Sequence, residues 1–313
     1  MSKVIAFNPI YLKENQGHGN ARRVSLQNCR NELVALMDAD DISLPQRFMH
    51  QLQRFAKNDA LSIVGGQISE FSGDERNIIG IRKVPEKHGD ICQYLKKRCP
   101  MNQVSVMFKK TDVENAGGYQ DWFCEEDYYL WIRMMEAGCI FENVPEILVN
   151  VRAGENMSSR RGGWKYFRSE RKLQKYMLAK GIITFSQYIY NITLRFSGEV
   201  ILSNSLRSKI FKCLREDAKE NDLLGIGKEN EMEFLDKESS FTYPPFSVAI
   251  CVYEKDNPEW FDIAMGSILD QTVKPAEIVL VVDGPIPASI QNVIDKYEII
   301  CVGGTVKSNK TKK

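Results

Sequence analysis

Leu33-Val34-Ala35-Leu36-Met37-Asp38-Ala39-Asp40-Asp41 is the stretch that decides how this chain folds. An unbroken apolar run of this length, bounded by polar residues, has the pattern of a strand buried on both faces, with carboxylates at its carboxyl end. In open α/β sheets that edge is where ligands bind. A hard divalent cation held there by one or two carboxylates would keep waters and take its remaining ligands from a diphosphate. An acid-x-acid triplet alone fits a surface turn equally well; its position after a buried strand is what favours a site.

Working outward, β-branched apolar runs at 4–7, 63–68, 104–108, 248–252 and 278–282 read as further strands. Segments 19–29, 45–57 and 258–269 read as helices, the last with Asn257 as cap and Pro258 in its first turn. The alternation predicts an α/β sheet rather than a bundle. Residues 246–297 run strand, helix, strand, helix, and the second strand ends at Asp283-Gly284-Pro285. An Asp there can accept hydrogen bonds from a base or ribose while the Gly lets the chain turn away. This block reads as the opening of a nucleotide-binding unit, whereas 3–67 reads as its continuation. Joined in reverse order, the two make one nucleotide-sugar site.

Gly117-Gly118-Tyr119 precedes Glu125-Glu126-Asp127 and then Tyr128-Tyr129-Leu130-Trp131-Ile132-Arg133. Acids opening a helix are favoured by its macrodipole, which is reason enough for them. A functional reading also applies: one carboxylate faces the sugar site and removes a proton from an acceptor hydroxyl.

These residues carry a resemblance. The segments 247–284, with Val252-Tyr253 and Ser267-Ile268-Leu269-Asp270-Gln271-Thr272, Glu14 through Arg47, and Gly117 through Arg133 resemble the opening, middle and acceptor segments of the family-two inverting glycosyltransferases. The resemblance implies a GT-A fold, a Rossmann-like mixed sheet flanked by helices, here circularly permuted and carrying a basic helical appendage. It implies that Asp283 contacts the base or ribose and that Tyr253 and Glu254 line the nucleotide pocket. Asp40 would bind Mg²⁺ or Mn²⁺, and Asp38 would orient the ribose or sugar side. Asp127 would be the catalytic base with Glu126 supporting it. Arg152, with Asn156 and Ser158 after it, falls where the family closes its site over the diphosphate. The implied activity is inverting transfer of a sugar, with a UDP-sugar as donor, to a hydroxyl of a glycan or lipid-linked acceptor in surface polysaccharide or glycoconjugate synthesis. Two departures stand out. Arg22-Arg23 occupies the place where relatives carry an Asn, and the opening block follows the body instead of preceding it.

The 313 residues, 43% hydrophobic and 27% charged, suit one large globular domain with appendages or two small ones. A net charge of +1 gives no field for nucleic acid. It conceals two opposed blocks: thirteen Lys or Arg against two Glu over 160–215, then nine acids against three Lys over 216–240. The expected organisation is a glycosyltransferase body over 1–155, a basic amphipathic region over 156–215, an acidic linker over 216–245, a completing nucleotide block over 246–300 and a disordered tail over 301–313. Ile182, Phe185, Ile189, Ile192 and Phe196 recur at helical spacing and form a stripe that either packs on the catalytic domain or lies on an anionic membrane. Eight scattered cysteines without a CxxC pair suggest a reducing compartment, and no signal-peptide pattern opens the sequence. The expected location is the cytoplasm, including the inner face of a membrane.

The connection over 213–245 spans at most roughly 110 Å, so the late block can reach its own body. Exchange between two chains, giving a swapped homodimer, is the rival. Two other functions compete: a non-catalytic nucleotide-sugar-binding remnant, and a nucleotidyltransferase, which would need a glycine-rich basic phosphate loop where Tyr253-Glu254-Lys255 stands.

Overall fold

The computed structural model describes residues 4–153, 163–198 and 243–301. Residues 216–242 of the expected linker over 216–245, residues 302–313 of the expected tail over 301–313, and Asn156 and Ser158 lie outside the described residues.

One nine-stranded sheet organises the chain. In chain order its strands are β1 (Ala6–Tyr11), β2 (Leu33–Asp38), β3 (Ile42–Ser43), β4 (Leu61–Phe71), β5 (Ile78–Arg82), β6 (Met107–Lys109), β7 (Ile140–Arg152), β8 (Phe246–Val252) and β9 (Glu277–Val282). Across the sheet they run β1-β9-β8-β2-β6-β4-β7-β3, with β5 paired to β4. The first four are parallel, β6 is antiparallel to both β2 and β4, and β4 and β7 are parallel. The late block is thus inserted between β1 and β2. Every residue of β9 is buried, as a parallel strand covered on both faces requires.

Residues of β2 alternate between two cores. Ala35 and Met37 face one with Phe48 and Leu52 of α2 (Arg47–Lys57), Phe261 and Ile268 of the helix Pro258–Leu269, and Ile294 of the helix Ala288–Cys301. Val34 and Leu36 face the other with Leu26 of α1 (His18–Asn28), Ile91 of α3 (His88–Leu95) and Trp131 of α5 (Glu126–Glu136), the short helix α4 (Lys110–Asn115) lying between α3 and α5 in the chain. The mixed sheet with helices on both faces is the expected GT-A type fold. The remaining helices are α6 (Trp164–Ala179), α7 (Phe185–Phe196), α8 (Pro258–Leu269) and α9 (Ala288–Cys301). The last runs one residue beyond the expected block, to buried Cys301.

Polar side chains stitch the late block in. Glu277 accepts from the Arg30 amide (2.9 Å), Arg30 Nε (2.7 Å) and Ser247 Oγ (2.7 Å). Burial alone would raise this carboxyl, yet the hydrogen bonds from Arg30 and Ser247 hold it below its ordinary value. Gln271 Nε2 donates to the carbonyls of Leu44 (2.8 Å) and Ser267 (3.0 Å), and the Thr272 amide donates to Pro45 O (2.8 Å). The Asp270-Gln271-Thr272 motif is therefore a joint between α8 and the segment before α2.

Three expectations are corrected. The first strand lies at Ala6–Tyr11 rather than 4–7, because its partner β9 pairs with it from Ala6 onward. Residues 104–108 divide into a 3-10 turn, Gln103–Ser105, and the three-residue β6. In α7 the expected stripe is divided: Phe185 and Ile189 are exposed, Phe196 packs on Phe167 (5.4 Å), and Asn191 and Arg195 bond to the body beside it.

Gly284 sits at φ +91°, and a Cβ there would lie 2.7 Å from the Asn15 amide nitrogen. Gly284→Ala should therefore lower stability by about 1–3 kcal/mol, measured as a lower urea midpoint with an unchanged slope.

Candidate active site

Parallel register brings four strand ends to one edge. Asp38 pairs with Cys251, Cys251 with Val281, and Tyr11 with Val282, so Asp38, Tyr253 and Asp283 all follow or end neighbouring strands. This is the carboxyl edge on which the sequence placed the nucleotide.

Asp283 is buried, and its two carboxylate oxygens accept from the backbone amides of Gln16 (2.7 Å) and Gly17 (3.0 Å). It secures the segment leading into α1 against the end of β9. Tyr253 follows β8, with its ring 6.1 Å from that of His18 in an edge contact, and its amide donates to Asp256 Oδ2 (2.9 Å). Glu254 is exposed in the same turn, and Asn257 caps α8 by accepting from the amides of Glu259 and Trp260.

The acidic turn after β2 is built around Arg152, at the end of β7. The Arg152 amide donates to Asp41 Oδ1 (2.9 Å) and its Nε to the Asp40 carbonyl (3.2 Å). Its guanidinium lies 4.6 Å from the Phe71 ring centroid and 4.5 Å from that of Trp260 on α8. Arg152 therefore touches the body, the acidic turn and the late block together. Asp41 is buried; burial first, then Asp40 and Asp38, push its carboxyl well up. The same order of causes, opposed by the Tyr253 amide, pushes Asp256 up to about 7.

Glu126 and Asp127 stand half-buried in the first turn of α5. Arg22, on α1, donates from Nη1 to Glu126 Oε1 (2.8 Å) and from Nη2 to Asp38 Oδ1 (3.1 Å). One guanidinium thus joins the expected nucleotide side to the expected acceptor side. Burial opposes its charge, but Asp38 and Glu126 outweigh that and raise its pKa. Glu126 is itself raised, by burial and then by Asp127, with Arg22 pulling the other way. Just upstream, Cys124 adopts φ 59°, a left-handed backbone for a residue with a side chain. It turns the chain so that Glu125, Glu126 and Asp127 meet the start of α5 together.

Sequence reasoning left three of these residues without a role. Arg22 entered only as a departure from the family pattern, and Asp256 and Trp260 were not singled out. The signal for Asp256 was its place four residues beyond the end of a buried strand, beside an Asn cap.

A carboxyl whose folded pKa is raised to about 7 from about 4 destabilises the fold increasingly as pH rises from 4 to 7, and constantly above that. Asp256→Asn should therefore raise the urea midpoint at pH 8 distinctly more than at pH 5. Equal gains at both values would mean that Asp256 ionises normally.

The profile of Glycosyl transferase family 2 matches residues 5–113. An uncharacterized glycosyltransferase of Haemophilus influenzae is 37% identical over 203 residues, 65% of this chain and 75% of that protein. The amylovoran biosynthesis glycosyltransferase AmsE of Erwinia amylovora is 38% identical over 168 residues, 54% of this chain and 62% of that protein. The UDP-Gal:alpha-D-GlcNAc-diphosphoundecaprenol beta-1,3-galactosyltransferase of Escherichia coli is 34% identical over 201 residues, 64% of this chain and 72% of that protein. With the acidic turn, the helix-opening carboxylates and the mixed sheet in place, these likenesses assign the chain to glycosyl transferase family 2.

Proposed function

We propose that this chain transfers a sugar from a nucleotide-diphosphate donor, a UDP-sugar, to a hydroxyl of a glycan or lipid-linked acceptor in polysaccharide or O-antigen synthesis, with inversion at the anomeric carbon. The observation that carries the reading is the Arg22 bridge, which sets Asp38 and Glu126 on one guanidinium and puts Asp127 in the same helix turn. The names of the Erwinia and Escherichia relatives support the acceptor class.

In this reading the nucleotide lies along the ends of β9 and β8 against Asp283 and Tyr253, with Glu254 at the rim. Asp38 orients the ribose or sugar, and Arg152 faces the diphosphate beside the acidic turn. Asp127 accepts the proton of the acceptor hydroxyl as its oxygen attacks the anomeric carbon, from the side opposite the departing diphosphate. Glu126, tied to Arg22, fixes the helix mouth so that Asp127 keeps its aim.

Asp40 would hold Mg²⁺ or Mn²⁺, the diphosphate and waters supplying the other ligands. Among the described residues no group of three or more His, Cys, Asp or Glu is placed to hold a metal ion by itself. Burial first, and then the neighbouring Asp40 and Asp38, raise Asp41 and Asp256, and a positive charge placed there would favour their ionised forms. A bound cation would stabilise the charge growing on the leaving diphosphate.

We read the chain order as a circular permutation of the family fold, with the block from 246 completing the site of its own chain. The continuous parallel register β1-β9-β8-β2 supports this. Exchange of the same block between two chains would give the same pairing in a dimer.

Titration of the monomer fraction with uridine diphosphate and Mn²⁺ tests the site: binding is expected, and binding only by a dimer would indicate exchange. Asp40→Ala should weaken Mn²⁺-dependent binding at least about tenfold; an unchanged isotherm would remove Asp40 from the cation site. Asp127→Asn should reduce transfer by about 100-fold or more with nucleotide affinity unchanged. An active Asn variant would show that another group is the base.

A further inference from the structure

In the helical hairpin α6–α7, the second helix exposes much of its apolar surface. The exposed residues of α7 are Phe185, Ser186, Ile189, Tyr190, Thr193 and Leu194, none of them charged. Phe185, Ile189, Tyr190 and Leu194 are 48–67% exposed. Two of its longer polar side chains, Asn191 and Arg195, are spent inward instead. Asn191 Nδ2 donates to Lys96 O (2.9 Å) and Gln174 Oε1 (2.8 Å), while Arg195 pairs with Glu170 (2.6 Å) and donates to Lys97 O (2.8 Å). A helix on a water-facing surface shows the opposite arrangement, with its apolar stripe inward.

The neighbouring helix supplies the complementary half. Along α6 the exposed charged residues are Lys165, Arg168, Arg171, Lys172 and Lys175, and its one acid, Glu170, is half-buried against Arg195. Trp164, more than half exposed, joins the two helices by edge contacts with Phe167 (6.0 Å) and Phe196 (5.9 Å). An uncharged strip with aromatic residues beside a basic strip is the pattern that lies in the headgroup region of an anionic bilayer.

We propose that the α6–α7 hairpin is a membrane-docking face, with the outward side of α7 entering the interface and α6 meeting anionic headgroups. A second copy of this chain fits less well, because a two-fold contact would set basic α6 surfaces near each other. The face also adjoins the catalytic mouth. Ser169 Oγ donates to Phe123 O (2.6 Å) and Lys165 Nζ lies 3.9 Å from the Phe123 ring, three residues before Glu126. Docking there would present the acceptor side of the site to the bilayer. The docking itself requires no sugar transfer, so it stands or falls apart from the activity.

Co-sedimentation of the full chain with vesicles tests it, using phosphatidylcholine alone and an equimolar mixture with phosphatidylglycerol. The mixed vesicles should bind at least about tenfold more strongly, and added salt should reduce the difference. Ile189→Ser with Leu194→Ser should lower binding to mixed vesicles at least about tenfold without moving the melting temperature. Arg168→Gln with Arg171→Gln, which disturbs no packing, should remove most of the preference for anionic lipid and serves if the first pair perturbs folding. No binding to either vesicle, or binding indifferent to both pairs, would overturn the proposal. So would a concentration-dependent dimer in sedimentation that Ile189→Ser with Leu194→Ser abolishes, since a second copy would then cover the face.

Discussion

The pairing of β9 and β8 between β1 and β2 is the constraint on which the rest of this protein depends. Each of these strands hydrogen-bonds on both edges, and β9 is buried along its whole length, so an unpaired edge here would leave backbone amides and carbonyls without partners in an apolar layer. The contacts join residues more than two hundred positions apart in the chain. Entropy favours leaving such a long loop open, and burial of the central strands between two helical layers is what offsets it. Side chains then fix the register: Glu277 accepts from Arg30 and Ser247, Gln271 donates to the Leu44 carbonyl before α2, and Asp283 accepts from the amides of Gln16 and Gly17.

The electrostatics of the site follow from that assembly. Four acids, Asp38, Asp40, Asp41 and Asp256, gather at one strand edge, and two of them are pushed up by burial and by the others. Three arginines restrain the cluster in different ways. Arg22 spans Asp38 and Glu126, and Arg152 holds the turn by its backbone amide and Nε. Arg47 lies buried beneath β2, donating to Leu36 O (2.6 Å), where burial outweighs the nearby Asp41 and Asp38 and pushes it down to about 9.

Much of this was legible in local pattern. The buried run ending in Asp38-Ala39-Asp40-Asp41, the capped helix after Asn257 and the β-branched run ending at Asp283 each follow from residue types within a single element. No helix among the described residues is long and apolar enough to cross a membrane. Less legible were β7 and β5. Pro145 and Glu146 interrupt the apolar pattern of β7, whose register with β4 shifts between Gly66 and Gln67, and a strand with such irregularity shows no clean alternation. In α7 the periodicity correctly indicated a helix, but it could not say which face would be buried, since Asn191 and Arg195 found partners on Lys96, Lys97, Gln174 and Glu170 far along the chain.

The sequence by itself determined the strands and helices of the block from residue 246 onward, the acids at the strand ends and the carboxylates opening α5, because these depend on side-chain periodicity and on caps within a few residues. Tertiary structure alone decided that β8 and β9 enter between β1 and β2, that Arg22 joins Asp38 to Glu126, that Asp256 and Trp260 reach the acidic turn, and that α7 turns its apolar side outward. Those outcomes depend on hydrogen bonds, ion pairs and burial between residues distant in the chain, whose energies exist only once the sheet has closed.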